Sequence, residues 1–401
     1  MKKVLLSCQR YYDVIASLRS NPEASNQAWI ASRLPMTKMS FHSFQRQGCR
    51  CYDLAMTMRQ NRIDMILLTL LCFWNNTKNM NYLILYCAVI FLAFVSFSCK
   101  NKNQSLPGMN TDLPLLFQSG FEPTTHLIMR EFPKFAGKDE TLKEKNDWEA
   151  DISPIASSVS LVTTDGKVSQ NFASIIPEPG NPKNHVLHFK MDEVWMYREY
   201  RSARVQCDFY GIRTGLKEFY QTVRIFLPDD FKVVGKYPHP INWLTILELW
   251  NNVQWVPTIP YAFRITLGMG KTTAEESDLI FIIDAEDYER TGEKRGYIKI
   301  WVEKNHEIKV PIGEWFTMHY YFKEGNAETG RFVVILETKK KGRQTVFDIT
   351  NFTHNTTDPA PDGLTAYNPF KMYTSMDLAT FVKEQGKNLN IYWDDFKLYG
   401  K

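Results

Sequence analysis

The stretch Arg201-Ser-Ala-Arg-Val-Gln-Cys-Asp-Phe209 decides the fold class. Ala203, Val205, Cys207 and Phe209 occupy every second position, and Ser202, Arg204, Gln206 and Asp208 fill the positions between them. Successive side chains of a strand point to opposite faces, so one apolar and one polar set at a period of two describes a strand with one face in a core. Similar short runs recur at 185–190, 219–227, 243–250, 261–267, 279–283, 297–301, 315–322, 331–338 and 390–399. They are bounded by Gly, Pro, Asn and Asp, the residues that end strands and build turns. Ten such runs with few long segments of helical period predict an all-β sandwich of two antiparallel sheets. Residues 117–401 show no internal repeat or second boundary, and read as one domain.

Upstream of that domain, the chain carries an uncharged apolar run from Tyr82 to Ser98, followed by Cys99-Lys-Asn-Lys-Asn-Gln. Small residues at Ser96 and Ser98 before a cysteine and a polar tether resemble a bacterial lipoprotein signal of the loose kind found in Bacteroidetes. On that reading 80–98 is a signal peptide, Cys99 is the acylated mature N-terminus and 99–116 is a tether. The alternative is a single-pass helix, for which the run is at the short edge of what crosses about 30 Å of hydrocarbon. Residues 1–79 then precede a signal that should open a chain, and are expected to reflect a misassigned start. The localisation expected is an outer-membrane lipoprotein, at the cell surface or on the periplasmic face.

Charge follows the same division. The formal net charge is +4, but residues 1–79 hold 11 Lys and Arg against 4 Asp and Glu. The remainder has 37 basic and 40 acidic residues and is close to neutral, which argues against nucleic acid as a partner. Of seven cysteines, Cys8, Cys49, Cys51, Cys72 and Cys87 precede Cys99, so Cys207 is left without a disulfide partner. A domain of this length buries a sufficient core without such staples.

Four segments, in order, carry a family likeness. They are Phe117-Gln-Ser-Gly-Phe-Glu122; Tyr200-Arg-Ser-Ala-Arg-Val-Gln206 with Gly215-Leu-Lys-Glu-Phe-Tyr-Gln-Thr-Val-Arg-Ile-Phe-Leu-Pro228; Trp243-Leu-Thr-Ile-Leu-Glu-Leu-Trp-Asn251; and Gly313-Glu-Trp-Phe-Thr-Met-His-Tyr-Tyr321 with Gly330-Arg-Phe-Val-Val-Ile335. Together they resemble the concanavalin-like jelly-roll proteins that include alginate-lyase-type and heparin-lyase-type polysaccharide lyases. The resemblance implies β-elimination on a uronic-acid glycan: an arginine and an amide neutralise the carboxylate, a histidine or tyrosine removes the C5 proton, and a tyrosine protonates the leaving oxygen. It implies no cofactor for the chemistry and a polysaccharide or oligosaccharide partner; attachment to the membrane through a lipid anchor is expected from the signal-like segment, and a monomer is expected.

Residue by residue, Arg201 or Arg204 matches the family's Arg-Ser/Thr-Glu strand, with Ala203 where a glutamate is expected. Pro369-Phe-Lys-Met-Tyr373 is similar to its Phe-Lys…Tyr strand and sets Lys371 and Tyr373 on one face, with Tyr373 the acid/base candidate. Glu248-Leu-Trp-Asn-Asn252 stands where a Gln-x-His pair is expected, which makes Glu248, Trp250 and Asn251 candidates for lining the groove. Glu122 at the start of the domain and Asp394-Asp395 on its last strand are similar to the structural calcium sites of carbohydrate-binding jelly rolls.

Each assignment has a plainer alternative. Arg204 also reads as a solvated strand arginine, Tyr373 as a core-edge tyrosine, and the three acids as strand caps in water. Trp243, Trp250 and Trp255 are either sugar platforms or core. Glu248 between two leucines needs a groove or a cationic partner. His319, within Met-His-Tyr-Tyr-Phe, reads as a satisfied, half-buried histidine. Gly268-Met-Gly-Lys-Thr-Thr273 lacks the first glycine of a phosphate loop, and Asp284-Ala-Glu-Asp-Tyr-Glu289 lacks the carboxylate spacing of a retaining glucanase. A lyase and a non-catalytic carbohydrate-binding jelly roll remain as the two functional expectations.

Overall fold

A computed structural model describes residues 109, 112–130, 133–163, 171–191, 195–197, 200–213, 215–252, 260–291 and 294–401, all within the unit Ser105–Lys401. Residues 1–79, the apolar run, Cys99 and most of the tether lie outside the described residues. So do Trp255 and the side chain of Arg201, whose backbone alone is described.

In chain order the strands are β1 (Leu115–Ser119), β2 (His126–Ile128), β3 (Lys134–Ala136), β4 (Ala156–Thr163), β5 (Asn171–Glu178), β6 (Asn181–Met191), β7 (Trp195–Tyr197), β8 (Tyr200–Ile212), β9 (Glu218–Phe226) and β10 (Leu244–Asn251). They continue with β11 (Phe263–Gly270), β12 (Ile280–Thr291), β13 (Lys294–Lys309), β14 (Trp315–Lys323), β15 (Arg331–Thr338), β16 (Gly342–Thr350), β17 (Ala366–Asn368), β18 (Lys371–Ser375) and β19 (Leu389–Gly400). One sheet runs β16-β15-β14-β9-β19-β6-β5, with β1 also on β19. The other runs from β13 through β12, β11 and β10 to β17 and β18, then β8, with β4 and β7 on β8. All pairings are antiparallel, so the expected jelly-roll β-sandwich of two antiparallel sheets is what the chain forms.

Every one of the ten anticipated runs lies on a strand. Among the strands that hydropathy did not mark, β1, β7 and β17 are short, while β4 is rich in serine, β5 carries Pro177, and β16, Gly342-Arg-Gln-Thr-Val-Phe-Asp-Ile-Thr350, pairs only with β15. A strand at a sheet edge has no need of a clean apolar face, and charge there discourages further pairing. Helix α1 (Lys232–Gly235) is a single turn, whereas α2 (Met376–Glu384) is a full helix. The Ser375 hydroxyl caps α2 by accepting from the Leu378 N–H, and Leu378, Ala379 and Val382 form its buried stripe.

The core lies between the sheets. Ala203, Val205, Cys207 and Phe209 of β8 are fully buried in it, as their alternation requires. Phe370 bridges the layers, with its ring 5.6 Å from Trp393 and 4.9 Å from Phe396 of β19, and Phe209 also meets Phe396. Burial pushes the Cys207 thiol well above its ordinary value, so it is an inert apolar filler rather than a nucleophile.

Phe370 also explains how the site is built. β17 and β18 both pair with β10 on one side and with β8 on the other. They act as one strand interrupted at Pro369-Phe370, where Phe370 drops into the core. The residues flanking the interruption, Asn368 and Lys371, pair with the outer-facing Glu248 and Gln206 respectively.

Candidate functional site

The polar set that alternation separates from the core of β8 lies on the outer face of the nine-stranded sheet. Arg204 is the direct antiparallel partner of Tyr373, and Gln206 of Lys371. The Arg204 guanidinium carbon is 5.6 Å from the Tyr373 ring centroid, and the Lys371 ammonium is 5.0 Å from it. Trp243 packs edge-on against the same ring at 4.7 Å and is 37 % exposed at the rim. Burial pushes the Tyr373 phenol above its ordinary pKa, while Arg204 and the Ser202 hydroxyl draw it back down.

Lys371 is itself deeply buried and makes a short ion pair with Glu248 on β10. Glu248 is thus provided with the cationic partner that its place between Leu247 and Leu249 demanded. It has a second, the Arg264 guanidinium of β11 at 3.4 Å. Burial alone would raise the Glu248 carboxyl, yet Lys371 and Arg264 hold it below its ordinary value, so it stays ionised.

From Arg264 the pairing continues across the sheet. Its Nε donates to Glu286 of β12 at 2.6 Å, Lys299 of β13 contacts Glu286 at 2.6 Å and Asp284 at 2.5 Å, and Asp284 accepts from the Thr266 hydroxyl. Back at the β8 side, Asp208 accepts from Gln206 and Asn368. Burial raises the Asp208 carboxyl, against the pull of Lys371 and Arg204.

Five of the anticipated residues, Arg204, Lys371, Tyr373, Glu248 and Trp250, therefore share one face. Trp250 is only 2 % exposed, packed with Ala366 and lying 5.6 Å from the Arg264 guanidinium, so it shapes the floor and is not an open platform. Asn251 departs from expectation. One residue further along β10 its side chain points to the other face, where its amide donates to Glu324 and to the Gly363 carbonyl, and it does not line the groove. Arg264, Glu286, Lys299, Asp284 and Asp208 were not singled out as site residues. Their signal was present in the sequence as isolated charges at every second position of apolar strands.

Of the expected calcium ligands, Asp394 and Asp395 lie on β19 of the other sheet, and Glu122 lies in the segment that follows β1. Glu122, Asp139 and Asp394 do converge on Gly120, where an added Cβ would come within 3.0 Å of Asp139 and 4.0 Å of Asp394 and Glu122. Asp139, however, already accepts from the Gly120 N–H and the Thr141 hydroxyl. Asp394 accepts from Asn184 and the Asp395 N–H, and Glu122 lies 3.7 Å from His185. Asp394 also meets, at 3.1 Å, the Arg224 guanidinium, which lies 2.8 Å from Glu178 and 3.3 Å from Asp395, with Trp315 stacked at 4.1 Å. Among the described residues no group of three or more His, Cys, Asp or Glu side chains is arranged to hold a metal ion.

Two other patterns are structural. His319 bridges the Tyr220 hydroxyl and Glu337, at 2.6 and 2.9 Å, as a satisfied histidine on the outer face of the eight-stranded sheet. The fully buried Lys271 of the loop-like Gly-Lys-Thr run donates to the carbonyls of Gly235, Ala274 and Glu276, which leaves its ammonium nothing for a phosphate.

No family model matches the sequence, and neither does any curated protein. Among solved structures the chain is similar to an endo-β-1,4-glucuronan lyase from Trichoderma reesei, at 12% identity over 60% of this chain and 90% of that one, with a TM-score of 0.35. It is also similar to the alginate lyase Aly36B in complex with alginate tetrasaccharide, at 11% identity over 72% and 97%, TM-score 0.40. LamAcat from Zobellia galactanivorans is a further likeness, at 12% identity over 71% and 97%, TM-score 0.36. At these values they are likenesses between β-sandwiches and carry no chemistry across.

Proposed function

We propose that the protein cleaves a uronic-acid-containing glycan by β-elimination on the outer face formed by β8, β18, β10 and β11. The observation that supports this most directly is the phenol of Tyr373 between Arg204 and Lys371 on the outer face of the sheet. A C5 proton beside a carboxylate is weakly acidic, because its removal places a second negative charge next to the first. A guanidinium on the carboxylate lowers that cost, and it does so most as the charge develops. Arg204 takes this part.

Tyr373 removes the C5 proton as its phenolate and returns a proton to O4 of the leaving sugar. The C4–O4 bond breaks as the C4–C5 double bond forms, so the tyrosine ends as the phenolate it began as. Lys371, pinned by Glu248, packs 5.0 Å from the ring centroid and fixes the ring, while the Arg204 guanidinium stabilises the phenolate. Trp243 at the rim offers an aromatic face beside the reacting sugar.

A screen of uronic polysaccharides for absorbance from unsaturated products tests the reading, with Tyr373→Phe as the control. One observation favours the second reading, a carbohydrate-binding jelly roll without catalysis: among the described side chains that meet Tyr373, namely Arg204, Trp243 and Lys371, there is no histidine to serve as a separate imidazole base. Binding of a uronic glycan without any unsaturated product would select it.

As part of the same proposal, the domain works from a membrane surface, tethered through an acylated Cys99. The lipoprotein-like segment before that cysteine supports this. Intact mass and lipid labelling of the native protein test it. Acylation that persists in Cys99→Ala, or recovery of peptides from residues 1–79, would remove it.

A further inference from the structure

We propose that a cleft between β2 and strands β5 and β6 is a second glycan site, and that it takes one uncharged sugar unit. β5 and β6 belong to the eight-stranded sheet and Tyr373 to the nine-stranded one, so the proposal does not depend on the lyase reading.

The short β2–β3 pair packs beside β5, the last strand in the order of its sheet, and leaves a cleft of about 410 Å³. Clefts of roughly 300–1,000 Å³ are the usual size for small ligands. Thr125, His126, Ser174 and His185 line it with hydroxyl and imidazole groups, and Leu127 and Ile175 give it apolar walls. Met129, also in the lining, is 55 % exposed, so the cleft is open to solvent.

Thr125 points to a ligand. It is 1 % exposed, and its hydroxyl has no hydrogen-bond partner. A buried hydroxyl left unpaired is costly and uncommon in native folds, and a polar atom from outside the chain would complete it. Nδ1 of the exposed His126 faces the Thr124 carbonyl at 3.3 Å, which leaves Nε2 for a ligand. Hydroxyls and neutral imidazoles both donate and accept, as sugar hydroxyls do.

The lining also selects against charge. No lysine or arginine lines the cleft, and the His185 imidazole is 3.7 Å from the Glu122 carboxylate. An anion would meet the Glu122 charge with no further cation to offset it. A divalent cation is not matched either, because among the described residues no three His, Cys, Asp or Glu side chains are arranged to hold one. A sugar ring suits the lining: its hydroxyls meet Thr125, Ser174 and His126, and its C–H faces meet Leu127 and Ile175. A glycan held here stays at the domain's surface whether or not it is cleaved.

Saturation-transfer NMR on the full chain tests the site, with the methyl glycosides of glucose, galactose, mannose and xylose as neutral probes and methyl glucuronide as the charged one. At least one neutral glycoside should bind, equally in wild type and in Tyr373→Phe, and the glucuronide should bind less well. Thr125→Val keeps nearly the same shape without the hydroxyl. It should weaken the bound glycoside by at least about tenfold, yet raise the Tm of the sugar-free protein, because no unpaired hydroxyl remains buried. His126→Gln, at an exposed position, should weaken binding several-fold, and it decides the matter if Thr125→Val does not fold.

No transfer to any neutral glycoside overturns the inference and leaves a cleft that holds only water. Tighter binding of the glucuronide, or binding unchanged in the folded variants, overturns it as well. A rise in Tm with zinc chloride that is lost in His126→Gln would overturn it in favour of a metal site. The lyase reading is untouched by each of these outcomes, since it is judged by unsaturated products alone.

Discussion

Arg204 on β8 and Tyr373 on β18 are direct antiparallel partners, with the guanidinium carbon of one 5.6 Å from the ring centroid of the other. Cross-strand partners on one face are held at fixed spacing by the backbone ladder. Their separation is therefore a property of the sheet and not of a mobile loop. The functional consequences are separable by substitution.

Tyr373→Phe removes only the hydroxyl, and Trp243 still packs against the ring that remains. Turnover of a cleaved glycan should fall by about 10² to 10⁴, the usual worth of a positioned acid/base, with little change in affinity. Steady-state kinetics alongside binding to the inactive variant measure the two separately. Full activity in Tyr373→Phe would end the role assigned to this residue.

The pH profile carries the electrostatics. Burial raises the Tyr373 phenol above its ordinary pKa, so the phenolate is scarce near neutrality and kcat/KM should climb on the alkaline side. Arg204 lowers that pKa, hence Arg204→Ala should move the climbing limb to higher pH and weaken glycan binding as well. Arg204→Lys keeps the charge and should restore part of the shift. A limb at the same pH in wild type and Arg204→Ala would separate the arginine from the tyrosine.

Much of the fold was legible in the sequence because the burial of a face repeats along each strand. The β8 alternation named the core side and the site side at once, and Lys371 and Tyr373 followed by parity. What alternation cannot carry is which strand lies beside which. Glu248 announced that it needed a cation, but its two partners come from β18 and β11, 123 residues downstream and 16 residues downstream respectively. Asn251 was misplaced for a related reason. A motif read as a block ignores that its consecutive members face opposite ways, and Trp250 and Asn251 do so here. Arg224 gave no local sign that it would stand among Glu178, Asp394 and Asp395, which come together only when β9 lies beside β19 and near the end of β5.

The Lys371–Glu248 pair should prove strongly coupled. Glu248→Leu strands a buried ammonium and should cost about 3–5 kcal/mol in urea unfolding, as loss of one partner of a buried pair does. Glu248→Leu combined with Lys371→Met removes both charges, and should be distinctly more stable than the sum of the single effects implies. Additive single and double variants would show that the two side chains do not depend on one another.

Asp394 gives a pH signature of a different kind. It is 1 % exposed, and burial together with Asp395 raises its carboxyl from 3.8 to about 7, despite Arg224 and Asn184. A carboxyl whose pKa is higher in the folded state binds its proton more tightly there, so its contribution is complete below about 4 and is lost as pH rises through about 7. Relative to Asp394→Asn, the wild-type protein should therefore lose stability across that window, by up to roughly 4 kcal/mol, and change no further above it. A calcium ion at this place would reverse the trend by holding the carboxylate ionised. If Arg224 is the sole cation beside Asp394 and Asp395, rigorous chelation at neutral pH should leave the Tm unchanged. A chelator-dependent fall in Tm that is absent from Asp394→Asn would show instead that these carboxylates hold a metal ion.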